Sequence, residues 1–250
     1  MNSPRQSVKL SRLAKVGDGI DAMPAGWSFG GDTPKHFEAH IARSVPHYAE
    51  GHKLIEQISE FFVRRDSVVY DVGTSTGNLL RRLSERHAGG PRWIGIDVEE
   101  AMINHARAEQ AARGGSRSVE YVVADACDMA FESCDLVISY YTMQFVRPRQ
   151  RQGVFDAIYR ALNWGGAFLL FEKVRAPDAR FQDITSGLYV DYKLEGGYTA
   201  GEILEKARSL RTVMEPFSTQ GNLDLLGRAG FVDIMTIYKH ICFEGFLAIK

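Results

Sequence analysis

Five short apolar runs punctuate the middle of the chain, each bounded by turn residues. They are Val68–Val72 and residues 93–97, 121–126, 135–138 and 167–171, rich in Val, Ile, Leu, Phe and Tyr. Continuous apolar runs of this length read as strands buried on both faces. Most of the segments between them carry helical spacing instead: Leu79, Leu80 and Leu83; residues 99–113; and Val154, Ile158, Ala161 and Leu162 within residues 153–163, stopped by Gly165-Gly166. Strand and helix in alternation predict an α/β fold around a parallel sheet. Residues 231–240 and 241–249 read as two further strands that give the sheet an antiparallel edge, seven strands in all.

Two helices are expected before the first strand. Phe37, Ile41 and Val45 recur at helical spacing from Pro34, with Asp32 or Thr33 as cap and Pro46 as stop. Leu54, Ile55, Ile58, Phe61 and Phe62 share one side of a second helix over residues 51–64. Residues 34–65 can therefore fold over the strand ends as a lid. Residues 1–33 are polar, basic and broken by Pro24, Gly26, Gly30 and Gly31, which reads as a mobile N-terminal arm. Residues 34–250 form one domain on this reading. Within it, residues 177–218 are a helical insertion before the last two strands: Phe181, Ile184, Leu188 and Tyr192 define one helix, and Ile203, Ala207, Leu210 and Met214 a second. Such a pair is expected to cover an acceptor, to form the surface of a homodimer, or both.

Composition narrows the class. At 250 residues the chain can bury a full core, and its net charge of -1 gives no global field favouring nucleic acid or an anionic membrane. No apolar stretch approaches the ~18 residues needed to span a bilayer. Arg5, Lys9, Arg12 and Lys15 precede no uninterrupted apolar core, so no secretory signal is read there. Cys127, Cys134 and Cys242 match no zinc template and read as small buried hydrophobes of a reducing cytoplasm. His36 and His40 stand one helical turn apart, but the stretch is His-Phe-Glu-Ala-His rather than H-E-x-x-H. They read as solvent-facing or capping histidines, and no metal is expected.

Chemistry gathers where strands end. After Val68–Val72 the chain reads Asp71-Val72-Gly73-Thr74-Ser75-Thr76-Gly77 and then enters a helix. Glycines at such a corner permit a backbone path and a closeness of approach that a Cβ blocks. Asp97 ends the second strand 20 residues beyond Gly77, the spacing that brings a carboxylate to ribose hydroxyls. It could equally cap the following helix, and the two roles are compatible. Asp125 ends the third strand. Ser139, Tyr140 and Tyr141 end the fourth, where ligands of open α/β sheets sit. Aromatic faces there suit a cation, which ring quadrupoles attract by ~0.5–2 kcal/mol. Arg208 and Arg211 form either a carboxylate clamp or a solvated basic face.

The Asp71 to Gly77 loop resembles the S-adenosylmethionine (SAM) loop of class I methyltransferases, with Ser75 at the middle glycine, and implies their Rossmann-like fold. In those enzymes an acid at the place of Asp125, with the next backbone amide, reads adenine. From Phe37 onward the chain resembles the carboxy-S-adenosylmethionine synthase family. The carrying stretches are Arg43-Ser44-Val45-Pro46-His47-Tyr48, Val69-Tyr70-Asp71-Val72-Gly73, Ile96-Asp97, Thr142-Met143-Gln144-Phe145, the run from Ile158 to Gly166, and Cys242-Phe243. The resemblance implies SAM binding by Tyr48, Gly73, Thr74, Ser75, Asp97, Asp125 and Ala126. Asp71, Gly77, Val98, Met102 and Tyr140 complete the cofactor-side candidates. Two positions depart from the family. It carries asparagine where this chain has Tyr140, and Lys-Arg in the second insertion helix, where the arginine grips the transferred carboxylate and this chain has Ala207 followed by Arg208.

Three functions compete on this reading. The first is a SAM-dependent methyltransferase acting on a small molecule and releasing S-adenosylhomocysteine. Tyr48, Tyr140, Tyr141 and Arg43 would line its acceptor pocket, with a tyrosine or His47 taking a proton. The second is carboxyl transfer from prephenate to SAM, giving carboxy-SAM, with Arg208 replacing the displaced arginine. The third is a non-catalytic SAM-binding subunit.

Overall fold

The computed structural model describes residues 13–30, 33–87, 89–114 and 119–250. After a two-stranded hairpin, β1 (Ala14–Lys15) and β2 (Asp21–Ala22), come helices α1 (Thr33–Ser44) and α2 (Tyr48–Phe62). The alternating core follows: β3 (Val68–Val72), α3 (Asn78–Arg86), β4 (Arg92–Asp97), α4 (Glu100–Ala112), β5 (Val119–Val123), β6 (Cys134–Tyr140), α5 (Pro148–Ala161) and β7 (Leu162–Lys173). The insertion supplies α6 (Ala179–Glu195) and α7 (Ala200–Ser209). Then α8 (Thr219–Ala229), β8 (Asp233–His240) and β9 (Phe243–Ile249) complete the chain.

Strands β3 to β9 form one sheet in the order β5-β4-β3-β6-β7-β9-β8. Pairings among β3 to β7 are parallel, while β9 runs antiparallel to both β7 and β8. The antiparallel strand is thus the last in sequence but one place in from the edge, and the edge itself is β8. Alternation along the buried strands sends side chains to two cores. Val69, Leu136, Ile138 and Leu169 meet Ile55, Leu80, Leu83 and Ile103 on one face. Tyr70, Val137, Phe168 and Leu170 meet Phe155, Ile158, Leu225 and Leu226 on the other. The chain walks outward from β3 to β5 and then returns to β6 on the far side of β3. That reversal opens a crevice beyond the carboxyl ends of β3 and β6, where open α/β sheets bind ligands.

Several expected boundaries move. Helix α2 starts at Tyr48 rather than residue 51, preceded by His47 in a left-handed conformation with φ 54. Helix α5 starts at Pro148 rather than residue 153, and Arg151, whose type reads as polar surface, is buried in it. It ends at Ala161, and Leu162 to Gly166 already belong to β7, so Gly165-Gly166 lie inside a strand rather than stopping a helix. Of the two candidate caps for α1, Asp32 lies outside the described residues and Thr33 is the first helical residue.

Residues 13–30, expected as part of a mobile arm, pack as a hairpin onto the insertion. Val16, Ile20, Ala22 and Trp27 are buried with Leu210 and Val213 against them. The Ala25 and Trp27 amides donate to the Arg208 and Ser209 carbonyls at 2.9 and 3.2 Å. The ends of the insertion are tied to each other: the Arg175 amide donates to the Phe217 carbonyl at 2.9 Å, and Arg175 bridges Ser218.

Candidate active site

A cavity of about 1140 Å³ lies over the crevice, floored by the loops after β3, β4, β5 and β6 and roofed by the hairpin, α1 and the insertion. It exceeds the ~300–1,000 Å³ usual for one small ligand.

The loop after β3 has the shape its glycines allow. Gly73 and Gly77 both have positive φ, of 76 and 72. A Cβ on Gly73 would collide with the Thr142 side chain, and one on Gly77 with the Tyr121 ring. Ser75 holds φ 53, an uncommon conformation for a side-chain-bearing residue. It is held by Asp97, whose Oδ2 accepts from the Ser75 amide at 2.9 Å while Oδ1 accepts from the Glu99 amide at 3.0 Å. One carboxylate therefore ties the tips of two loops together and keeps further lone pairs for a ligand. Burial raises its pKa above the ordinary carboxylate value, and the backbone amides oppose that.

Gly73, Ser75, Asp97, Val98, Met102, Asp125 and Ala126 line the cavity. Asp71, Thr74 and Gly77 do not. Asp71 is buried beneath the loop and accepts from the Thr74 hydroxyl at 2.8 Å, so these two brace the loop from below. Burial pushes the Asp71 carboxyl up to about 7. The Asp125 carboxylate accepts from the Cys127 amide at 2.8 Å and fixes its own turn. An S-adenosyl nucleoside would find in this donor set the Asp97 carboxylate for its ribose and Asp125 with the Ala126 amide for its base.

At the end of β6 the rings of Tyr48, His52, Tyr140 and Tyr141 pack together, with Tyr140 5.0 Å from Tyr48, 4.9 Å from His52 and 4.6 Å from Tyr141. The three tyrosines line the cavity and His52 backs them. Tyr140 fits because residue 51 is glycine; a Cβ there would meet its hydroxyl. That hydroxyl donates to the Tyr48 carbonyl at 2.7 Å. Burial raises the pKa of all three phenols, so they keep their protons at neutral pH. Ser139 is fully buried within β6 and does not reach the cavity. Gln144 holds the β6 loop in place, donating to the Tyr141 carbonyl at 3.0 Å and accepting from the Lys173 amide at 3.1 Å.

Three expected acceptor-side residues lie elsewhere. Arg43 pairs with Asp18, donates to the Gly196 carbonyl at 3.1 and 3.0 Å, and covers the Tyr198 ring, so it joins the hairpin to the insertion. His47 is exposed at the start of α2 with its ring 4.4 Å from that of His240. Arg208 pairs with Glu205 one turn earlier on α7. Ala207 and Arg211 do line the cavity. His40, expected at the surface, is buried: its Nδ1 meets Asp18 at 2.7 Å and its Nε2 meets Lys206 Nζ at 3.1 Å. Burial, then Lys206, lowers its pKa to about 4, so the ring is neutral.

Sequence reasoning passed over Lys173, Lys193 and Lys206, which all line the cavity. Lys173 was within reach, since it ends β7 at the ligand side of the sheet. Lys193 and Lys206 belong to two helices whose crossing no spacing reveals.

Comparison with known proteins agrees with this architecture. The family described as Methyltransferase domain matches residues 69–166. Carboxy-S-adenosyl-L-methionine synthase of Staphylococcus epidermidis is 36% identical over 228 residues, covering 91% of this chain and 98% of that protein. The enzyme of the same name from Campylobacter lari is 33% identical, over 90% of this chain and 94% of its own. Among solved structures, Haemonchus contortus phosphoethanolamine N-methyltransferase 2 in complex with S-adenosyl-L-methionine superposes with a TM-score of 0.60 at 15% identity, covering 88% of this chain and 58% of that one. The chain belongs to the carboxy-S-adenosyl-L-methionine synthase family, a branch of the class I SAM-dependent methyltransferases.

Proposed function

We propose that this protein is a SAM-dependent methyltransferase for a small-molecule acceptor, built on the carboxy-SAM synthase scaffold. The observation that carries the reading is at Ala207. The position where the resemblance places the carboxylate-gripping arginine faces the cavity as a methyl group, while Arg208 pairs with Glu205 outside it. Tyr140 and its aromatic neighbours fill the place of the family's asparagine with rings suited to a sulfonium. When bound, SAM supplies a methyl group already activated by the sulfonium charge. The protein's task is then to align the acceptor and exclude water.

A second reading keeps the family's carboxyl transfer from prephenate. It is favoured by Lys206, beside Ala207 and within the cavity, as a cation for the transferred carboxylate. Incubation with SAM and candidate acceptors, followed by mass spectrometry of the nucleotide, separates the two. S-adenosylhomocysteine formed with an acceptor supports the methyltransferase. Carboxy-SAM formed from prephenate reverses the ranking, and SAM bound but never consumed identifies a non-catalytic subunit. Two further features belong to the same reading. Helix α6 has no buried residue, and Phe181, Ile184 and Leu188 are each about half exposed along one stripe, which supports a homodimer through the insertion. Three unpaired cysteines support a reducing compartment, the cytoplasm.

A further inference from the structure

One segment crosses the roof of the cavity from the insertion to the loop after β4. Residues 13–30 begin as the hairpin on α7, where the Ala25 and Trp27 amides are bonded, and they end at Gly30. A Cβ on Gly30 would stand 3.3 Å from a carboxylate oxygen of Glu99, two residues past Asp97. Between those ends, Trp27 and Phe29 line the cavity. The Phe29 ring meets Phe145 edge-on at 5.0 Å, and the Trp27 ring stacks on His40 at 5.5 Å.

This span is lightly held for what it covers. Each strand of the hairpin has two residues, and a two-stranded hairpin is marginal in water by itself. Its buried residues, Val16, Ile20, Ala22 and Trp27, form a small cluster separate from both cores that flank the sheet. Displacing it therefore leaves the sheet packing intact, as in segments that open locally. One carboxylate holds its tip. Gly17, Asp18 and Gly19 take positive φ, of 96, 54 and 77, an uncommon conformation for an aspartate. The turn they make presents Asp18 to three donors. Its carboxylate accepts from His40 Nδ1 at 2.7 Å, from the Arg43 guanidinium and from the Tyr198 hydroxyl. His40 and Arg43 stand on α1, and Tyr198 lies between α6 and α7. A single side chain thus fastens the hairpin to the other two parts of the roof.

We propose that residues 13–30 are a strap that opens to exchange the nucleotide and its co-substrate, with Asp18 as the clasp that holds it shut. This rests on an S-adenosyl nucleoside occupying the cavity. Closed, the strap lays two aromatic rings over the cavity and shuts out water. Its opening sets the rate at which the nucleotide leaves.

The test follows release of radiolabelled S-adenosylhomocysteine from the full chain, chased with unlabelled SAM. Asp18→Asn is expected to speed release about tenfold or more, the scale of a lost charged hydrogen bond. The same variant is expected to be cut faster by trypsin after Lys15, and bound nucleotide to slow that cut in the wild type. Ala25→Cys with Arg208→Cys locks the strap, since the 2.9 Å amide bond between these residues brings their backbones within reach of a disulfide. The oxidised double variant is expected to release nucleotide at least tenfold more slowly, and dithiothreitol to restore the wild-type rate. Melting curves identify an Asp18→Asn protein that misfolds, and Tyr198→Phe, which removes one donor to the clasp, then stands in. Equal release from the locked and reduced forms overturns the strap, and unchanged release and cleavage in the Asp18 and Tyr198 variants overturn the clasp. Failure of the wild type to bind S-adenosylhomocysteine overturns the cofactor reading instead.

Discussion

At the scale of single residues, the site depends on a few positions with no room for change. Gly73→Ala places a Cβ against Thr142 on a backbone with φ 76. The expected loss is about 1–3 kcal/mol of stability together with at least tenfold in SAM affinity, read by denaturant titration and calorimetry. Asp97→Asn halves the carboxylate's acceptors and leaves one loop amide poorly served. SAM affinity is expected to fall about tenfold while the fold survives, and an unchanged affinity would remove Asp97 from the site. Lys193 gives a pH signature, being protonated below about 8. The groups facing it are Lys173 on β7, Lys206 on α7, His40 on α1 and Cys242 beyond β8. On the carboxyl-transfer reading, prephenate affinity is therefore expected to fall as pH rises through about 8, and K193R to move that fall upward. Gly73, Ser75 and Asp97 were legible in the sequence because their chemistry is local, a loop and an acid at fixed spacing. The lysines were not, because three separate elements deliver them.

At the scale of elements, β6 and α2 are fitted to one another through Tyr140 and Gly51. Alanine for glycine inside a helix ordinarily gains about 0.5–1 kcal/mol. Gly51→Ala should destabilise instead, because its methyl meets the Tyr140 hydroxyl. In a Tyr140→Phe background most of that loss should vanish, and additive effects in the double-mutant cycle would show the two positions to be independent. Strand positions were the most readable part of the chain: Val68–Val72 matches β3 at both ends. Helix starts read less well. Arg151 looks like surface from its type, yet its guanidinium is buried and donates to the carbonyls of Val146 and Gln144 at 2.8 and 3.1 Å. The periodicity of α5 is hidden by a charge that points inward.

At the scale of the whole molecule, the two buried histidines weaken the fold in acid, against the opposing pull of Asp71 and Glu172, which burial raises to about 7 and about 8. Burial lowers His40 to about 4 and His52 to about 3, below the ordinary 6.5. The unfolded chain takes up those protons first, so the histidines' contribution to stability falls as pH drops from 6.5 toward 4. Each group contributes about 1.4 kcal/mol per pH unit in that window. His52→Gln should flatten the acid limb of urea midpoints against pH. Charging the exposed stripe with Ile184→Glu and Leu188→Glu should convert a dimer to a monomer in sedimentation while SAM binding persists; a wild type that is already monomeric refutes the proposed interface. One connection bears on how such a molecule changes over time. Because Arg175 and Phe217 meet at the mouth of the insertion, the forty-odd residues between them form a cassette that enters and leaves the sheet at one place. Two of the three lysines ride on that cassette. The acceptor can therefore be exchanged by exchanging it, with no strand re-registered and the nucleoside end of the cavity unaltered.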